Sequence, residues 1–363
     1  MTELMQAHAQ WASRPADQKH LSLESLLAAT DGRRIASRER TVHLGDLALG
    51  ATDDEVTIEA GAGSQPARFT NWAFGQMATL AGAPASYLRK LPTKLAQINL
   101  EAGIEFLGNR GVETKLYYRD DGMLDVLQAS TGPAYGRIFD SQVVSAVMDM
   151  NDDGRWTVPL QAYDGVLSEK STTLYASDRD VFIFLVDEVN AIDLDGDTFY
   201  RGFFVSNSEV GKAVLEIDTF LYNRVCANRI VWGAREVESL RIRHTHFAPD
   251  RFASQAAPAL KSLSESSAQP IAEALRKAKQ TQIGKSVADV EKWLKGKGFT
   301  APQSKLAINM AQREGTGSRN YDPTNLYDLV QGGTAAARSI EHADTRVEQE
   351  RQWSKLLDQV RAQ

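Results

Sequence analysis

The feature that most constrains the fold is a change in the spacing of apolar residues along the chain. Between residues 112 and 223 they recur at every second position in short runs. A period of two is typical of β-strands that bury one face. The runs lie at 115–118, 124–128, 156–160, 172–177, 181–186, 200–205 and 213–221. Turn sequences at 178–180, 195–197 and 207–209 separate several of them. Such turns favour hairpins, so this region predicts a largely antiparallel sheet.

The spacing is helical on both sides of this region. From Thr70 to Ala81 the apolar residues predict a helical cap, which ends at Gly82-Ala83-Pro84 before a further turn at Tyr87-Leu88. Residues 140–150 predict one helix inserted in the sheet region, with Asp140 as its N-cap. Beyond about residue 250 the pattern predicts a helical C-terminal region over 249–280, 286–297, 302–313, 324–331 and 334–362, with glycine-rich breaks. The predicted fold class is α+β.

The chain divides into three parts. Residues 1–66 are polar and end in Gly61-Ala62-Gly63-Ser64-Gln65-Pro66, which favours a loosely packed N-terminal arm. Residues 67–260 then form the α+β core domain, and residues 261–363 form the helical C-terminal region. With 363 residues, of which 42% are hydrophobic, the chain is long enough to bury a core.

The composition restricts the compartment and the chemistry. A single cysteine, Cys226, excludes an internal disulfide framework and a cysteine-based zinc cluster, and fits a reducing compartment. The first residues lack the pattern of a signal peptide, and no apolar run reaches the roughly 18 residues of a membrane span. We therefore expect a cytoplasmic protein with no membrane association. No cofactor is predicted, and no conventional enzyme active site is identified.

Charge is distributed unevenly along the chain, whose net charge is −6. Residues 1–223 hold 19 Lys/Arg and 32 Asp/Glu, whereas residues 224–300 hold 14 and 7. An acidic body with one basic stretch predicts a localised anion-binding face. A solvated charged helix is the alternative explanation.

The basic stretch also contains aromatic residues, the combination that binds single-stranded nucleic acid by neutralising phosphates and stacking on bases. If residues 241–246 form a strand, Arg241 and Arg243 share one face, and His244 and His246 share the other with Ile242. His244 could then reach a phosphate only if the strand bends or ends there. Burial of the aromatics in the core is the alternative. The candidate nucleic-acid-binding residues are Arg224, Arg229, Arg235, Arg241, Arg243, His244 and Arg251, and the candidate stacking residues are Tyr222, Trp232 and Phe247.

Other motifs are better explained by local structure. Gly284-Lys285-Ser286 resembles the end of a phosphate-binding loop, but Lys279 stands where that motif needs a glycine, so an N-capping serine explains it. Asp193, Asp195 and Asp197 alternate around Gly196 and favour a hairpin turn over a metal site. His244 and His246 could bind a metal with a distant carboxylate, or act with Cys226 in nucleophilic catalysis, but no orienting third residue is identified.

The motifs Val225-Cys226-Ala227-Asn228 and Arg241-Ile242-Arg243-His244-Thr245 resemble the V-C-x-N and R-x-R-H-T motifs of a phage/plasmid-like family of unknown function. The resemblance extends over about residues 70–260 and includes Gly136 and Phe139. It implies a mobile-element setting without an assigned activity. An antiparallel sheet carrying a helix is, more distantly, similar to single-strand annealing recombinases, which implies an oligomer that binds DNA in a basic groove.

Three hypotheses follow for the function. The leading one is a phage- or plasmid-encoded protein that binds or anneals single-stranded DNA without ATP, as a homo-oligomer. The second is a protein-interaction or anti-defence factor whose acidic surface engages a host protein. The third is a metal-dependent hydrolase using Asp193, Asp195, His244 or His246.

Overall fold

The protein has an α+β fold with antiparallel sheets and a helical C-terminal region. The structure, a computed structural model, describes residues 15–61, 63–159, 167–168, 172–194, 197–223, 229–230, 240–265, 269–313, 322–337, 349 and 352–357. In these residues no helix combines the length and apolar character needed to cross a bilayer.

The strands occupy the middle of the chain and part of its N-terminal region. In chain order they are β1 (Lys19–His20), β2 (Ser37–His43), β3 (Leu47–Ala51), β4 (Val56–Ala60), β5 (Ala67–Phe69), β6 (Glu113–Asp120), β7 (Asp125–Thr131), β8 (Trp156–Thr157), β9 (Leu174–Ala176), β10 (Val181–Leu194), β11 (Asp197–Asn207), β12 (Leu215–Asn223), β13 (Arg229–Ile230) and β14 (Leu240–Ile242).

The α-helices precede, interrupt and follow these strands. They are α1 (Leu23–Ile35), α2 (Asn71–Leu80), α3 (Ala85–Leu88), α4 (Thr93–Gly108), α5 (Asp140–Met150), α6 (Ala248–Arg251), α7 (Ala257–Glu265), α8 (Gln269–Gln280), α9 (Val287–Gly296), α10 (Ala301–Arg313) and α11 (Leu326–Ala337). A π-helical segment, Phe252–Ala256, joins α6 to α7. Pro258 follows it, and a proline ring clashes with the carbonyl four residues earlier, which favours the wider turn there.

A six-stranded sheet contains much of the N-terminal region. Its order is β2-β6-β7-β5-β4-β3, and its neighbours are antiparallel except for the parallel pair β5 and β7. One face packs on α2 and α4, where Leu116, Met77 and Leu100 are buried. The prediction of a loosely packed arm over residues 1–66 is wrong for its described part, since Leu44 and Ile58 are fully buried in this core. The three-part division of the chain stays a prediction.

A larger, eight-stranded sheet contains the remaining strands. Its order is β1-β9-β10-β11-β12-β13, with β8 paired to β10 and β14 paired to β12. All its pairs are antiparallel in the described residues. Ile183, Val205 and Ile217 are buried on one face, in the same core as Val143 and Val147 of the inserted helix α5. The period-two pattern therefore predicted the strands of this sheet correctly, and the helical spacing over 140–150 predicted its helix. The predicted runs at 115–118 and 124–128 lie instead in β6 and β7 of the six-stranded sheet, so the one predicted sheet is two.

The start of α5 differs from the prediction in one respect. Phe139 occupies the N-cap position, and Asp140 is the first helical residue, where it is buried. Phenylalanine has no side-chain acceptor, so Gln142 reaches back and its Oε1 accepts a hydrogen bond from the Phe139 N–H at 3.1 Å. The Asp140 side chain is thereby left for other contacts.

The C-terminal helices form a separate core with the far end of the β10–β11 hairpin, around Ile192 and Phe199. The predicted break at Gly332-Gly333 is wrong, because α11 continues through both residues. A Cβ on Gly332 would overlap the backbone of Ala307, and one on Gly333 would overlap the ring of Trp353. These glycines therefore permit close packing rather than ending a helix. Much of the predicted helix 334–362 lies outside the described residues.

Candidate functional site

The first candidate site is the basic segment, which we define as residues 241–251. Arg241 and Arg243 are exposed, whereas Ile242 between them is fully buried, as strand alternation predicts. Arg241 lies opposite Glu216 in the pairing of β14 with β12, and its Nη2 is 2.9 Å from Glu216 Oε1. The charge of Arg241 is therefore partly neutralised, and no salt bridge of Arg243 occurs among the described residues.

The two histidines of this segment do not share a face, so that prediction is wrong. Strand β14 ends at Ile242, and the alternation ends with it. The His244 ring stacks on Tyr135, with ring centroids 5.1 Å apart, and its Nδ1 lies 3.2 Å from the carbonyl oxygen of Gly136. Burial lowers the pKa of His244 to about 4. The stacking and burial leave little of the His244 ring accessible to a ligand. His246 is exposed instead, so the two histidines do not form a pair.

An exposed aromatic residue follows the histidines. Phe247 is 64% exposed, and its ring meets that of His246 edge to face at 5.3 Å. It directly precedes α6, which carries the partly exposed Arg251. The guanidinium of Arg251 lies 3.4 Å from Gln255 Oε1 on the same helical stretch. The basic segment thus offers one solvent-facing ring between two arginines, Arg243 and Arg251.

Two of the other predicted residues, Tyr222 and Arg229, lie on the paired strands β12 and β13. Strands β13 and β14 both pair with β12, Arg229 opposite Tyr222 and Arg241 opposite Glu216. These positions are six residues apart on β12, roughly 20 Å at the rise of a β-strand. The side chains of Tyr222 and Arg229 lie outside the described residues, as do Arg224, Cys226, Trp232 and Arg235.

The remaining motifs have the local roles that the sequence favoured. Ser286 caps α9, its Oγ accepting from the Asp289 N–H at 3.3 Å. Asp193 accepts from Thr198 Oγ1 at 2.9 Å across the β10–β11 hairpin, and Asp195 lies outside the described residues. No group of three or more His, Cys, Asp or Glu side chains with metal-binding geometry occurs in the part of the chain that the structure describes.

Sequence reasoning missed a buried group between the two sheets. We call it the polar cluster: Tyr117 on β6, Asp140 on α5, Asn207 at the end of β11, and Glu209. Tyr117 Oη donates to Glu209 Oε2 at 2.9 Å, and the Asp140 N–H donates to Glu209 Oε1 at 2.7 Å. Asn207 Nδ2 donates to Asp140 Oδ1 at 2.7 Å. These bonds join the two sheets through the first turn of α5.

The electrostatics of the polar cluster follow from its burial. Burial and the nearby Glu209 raise the pKa of Asp140 well above its usual range. The same two causes raise the pKa of Tyr117. Strongly shifted groups are typical of functional sites, but they also occur in structural networks. Here every member bonds another member, so the cluster acts as a connection between the sheets.

A glycine contact joins the loop before α5 to the basic segment. A Cβ on Gly136 would overlap the carbonyl oxygen of Thr245, so only glycine permits this approach. Its neighbour Tyr135 stacks on His244 and donates from Oη to the Ser208 carbonyl at 3.1 Å. Gly136 and the Arg241–Thr245 motif are distant in sequence, and their contact was not predictable from either alone.

A cleft of about 760 Å³ is the second feature that sequence reasoning missed. It lies between α2, the start of β6, the end of β7 and the turns that contain Arg179 and Gly211. Trp72 and Gln76 of α2 line it, and both donate to the Val210 carbonyl, at 2.9 and 2.8 Å. The cleft is therefore built where the two sheets meet.

Comparison with known proteins gives one match. Residues 155–316 match a domain of unknown function, DUF932, so this part of the chain is similar to an uncharacterised family. No curated protein and no solved structure matches the chain.

Proposed function

We propose that the protein binds single-stranded DNA without ATP along the basic segment, as a homo-oligomer, and promotes annealing or protects the DNA of a mobile element. The observation that carries the proposal is the exposed ring of Phe247 between the exposed Arg243 and the partly exposed Arg251. Base stacking on an aromatic ring beside phosphate-binding cations is how proteins hold single strands. The R-x-R-H-T motif supports a mobile-element setting, and the single Cys226 supports the cytoplasm.

The net charge of −6 defines the conditions under which binding is expected. An acidic body repels a polyanion everywhere except at a focused basic surface. Affinity then depends on the few arginines of that surface and falls with added salt.

The first test is fluorescence anisotropy of a labelled single-stranded oligonucleotide at two salt concentrations, with and without magnesium. We expect salt-sensitive binding that does not require magnesium, and light scattering of the same sample reports the oligomer. Absence of binding at low salt would overturn the proposal and favour the hypothesis that the acidic surface engages a host protein.

The double substitution Arg241→Ala and Arg243→Ala tests the location. We expect weaker binding to all sequences and a salt slope lower by about 1.4, roughly 0.7 for each lost phosphate contact. The matched control is Arg110→Ala, an exposed arginine that also lies beside an aromatic ring, 3.9 Å over Phe106. Equal affinities of the double variant and the control would exclude the basic segment as the DNA path.

Glu216→Gln tests the same surface in the opposite direction. Since Glu216 neutralises Arg241, removing the carboxylate is expected to tighten DNA binding by about threefold at low salt, and less at high salt. Unchanged or weaker binding would show that Arg241 contacts no phosphate.

A further inference from the structure

The cleft between the two sheets has the size and chemistry of a small-ligand site. Its volume of about 760 Å³ falls within the roughly 300–1,000 Å³ of pockets that enclose small molecules. Residues from α2, from the six-stranded sheet and from two turns of the eight-stranded sheet line it, and such junctions are common places for ligand sites.

The charge of the cleft favours an anion. Arg89 and Arg179 line it together with one carboxylate, Glu113. Asp178 lies 3.8 Å from the Arg179 guanidinium and partly neutralises it, so Arg89 is the main cation of the cleft. The Arg89 Nη2 donates to the Asn71 carbonyl at 2.8 Å, and its guanidinium lies 5.3 Å from the centre of the Phe74 ring. These contacts orient the group, but Arg89 forms no salt bridge within the described ranges. An oriented guanidinium without a carboxylate partner is suited to a phosphate or carboxylate of a ligand.

The side of the cleft formed by α2 is aromatic and apolar. Hydrogen bonding to the Val210 carbonyl fixes the Trp72 side chain in one orientation. Leu80 and Ala85 add apolar surface beside it. A fixed indole beside an oriented cation suits a ligand with a compact anionic group and an apolar or planar body.

We propose that the cleft binds a small organic anion, up to the size of a nucleoside monophosphate, with its phosphate or carboxylate on Arg89 and its body against Trp72. This site is separate from the basic segment and does not depend on DNA binding. No covalent step is involved.

Gly132 provides a way to close the cleft without disturbing the fold. It lines the cleft, its φ lies outside the left-handed region, and a Cβ placed on it meets no atom within 4 Å. Gly132→Leu should therefore fill ligand space while leaving the surrounding packing intact, and Gly132→Ala is the matched control. Arg89→Gln removes the charge at an exposed position.

The experiment measures thermal stability and calorimetric binding of the full chain with three probes: thymidine 5′-monophosphate, benzoate and inorganic phosphate. We expect an organic probe at about 5 mM to raise the melting temperature by about 3 °C. Affinity should fall about tenfold or more in Arg89→Gln and Gly132→Leu, and stay near the parent value in Gly132→Ala.

The probes distinguish the sources of the anionic group. Binding of the monophosphate alone identifies a phosphate ester, and binding of benzoate alone identifies a carboxylate. Binding of inorganic phosphate alone would overturn the proposed contact with Trp72. The proposal is also overturned if no probe binds, or if Gly132→Leu binds as the parent does. Oligonucleotide affinity should be the same in Gly132→Leu and the parent, which separates this site from DNA binding.

Discussion

The polar cluster and the basic segment use charged and aromatic residues in opposite ways. In the cluster, Glu209 accepts hydrogen bonds from Tyr117 and from the Asp140 backbone, and the group is buried. In the segment, Phe247 is exposed and Arg243 forms no salt bridge in the described part of the chain. Burying polar groups is costly unless they are paired, so the hydrogen bonds between its members give the cluster a structural role. Exposed groups carry no such constraint, and remain free for a ligand.

Glu209→Ala should have the largest effect on stability, because it disrupts the polar cluster. It leaves the Tyr117 hydroxyl and the Asp140 N–H buried without an acceptor, so we expect the free energy of unfolding to fall by about 4 kcal/mol in urea denaturation. Tyr117→Phe removes a donor instead and should cost about 1 kcal/mol. Glu105→Ala, at an exposed position of α4, is the control and should change stability by less than about 0.5 kcal/mol. Equal losses in Glu209→Ala and the control would contradict a structural cluster.

The pH dependence of the free energy of unfolding should show that His244, like the polar cluster, is buried. Its pKa of about 4 in the folded state lies below the ordinary value of 6.5, so the unfolded chain binds the proton first as the pH falls. Stability should therefore decrease by about 2 kcal/mol between pH 7 and pH 5 through this residue.

His244→Phe, which keeps an aromatic ring against Tyr135, should reduce that pH dependence in parallel denaturation curves. His246→Gln should leave it unchanged, because His246 is exposed. Burial also lowers the pKa of His20, so part of the dependence should persist in His244→Phe. Identical pH profiles of His244→Phe and the parent would show that the stacked imidazole does not titrate with folding.

Phe247→Ala tests whether the exposed ring of the basic segment stacks on bases. Loss of one base-stacking ring is expected to weaken oligonucleotide binding about tenfold, while the melting temperature stays near the parent value because the ring is 64% exposed. Phe106→Ala, which removes a ring that is 56% exposed on α4, is the matched control. A large loss of stability without a change in affinity would assign Phe247 to packing.

The elements that could be predicted from the sequence are those set by local patterns, and the others depend on tertiary contacts. Helix α5 and strands β10 to β12 were predictable, since their apolar residues repeat at helical or strand spacing. Strand β2 was not, because Val42 is its only buried residue. Gly332-Gly333 was misinterpreted because a glycine that ends a helix and one that permits close packing have the same sequence signal.

The candidate sites were less predictable than the fold. The strand alternation around Ile242 placed Arg241 and Arg243 correctly in solvent, since it depends on local geometry. The end of that strand, which decides the position of His244, depends on contacts with Tyr135 and Gly136. The cleft and the polar cluster combine residues from distant parts of the chain, and no local pattern reports such contacts.

Asp140→Asn should have the smallest effect, and its sign is informative. Because the folded-state pKa of Asp140 is raised, the folded protein keeps this proton to a higher pH than the unfolded chain, which releases it above the ordinary value of 3.8. Folding is therefore penalised as the pH rises above that value.

Asparagine has the shape of the protonated acid and keeps an acceptor for Asn207 Nδ2. We expect Asp140→Asn to equal or exceed the parent in stability at pH 7, by less than about 1 kcal/mol, with the difference vanishing near pH 4. Asp140→Ala, which loses that acceptor, should be less stable than both. A marked loss of stability in Asp140→Asn at pH 7 would mean that the cluster requires an ionised Asp140.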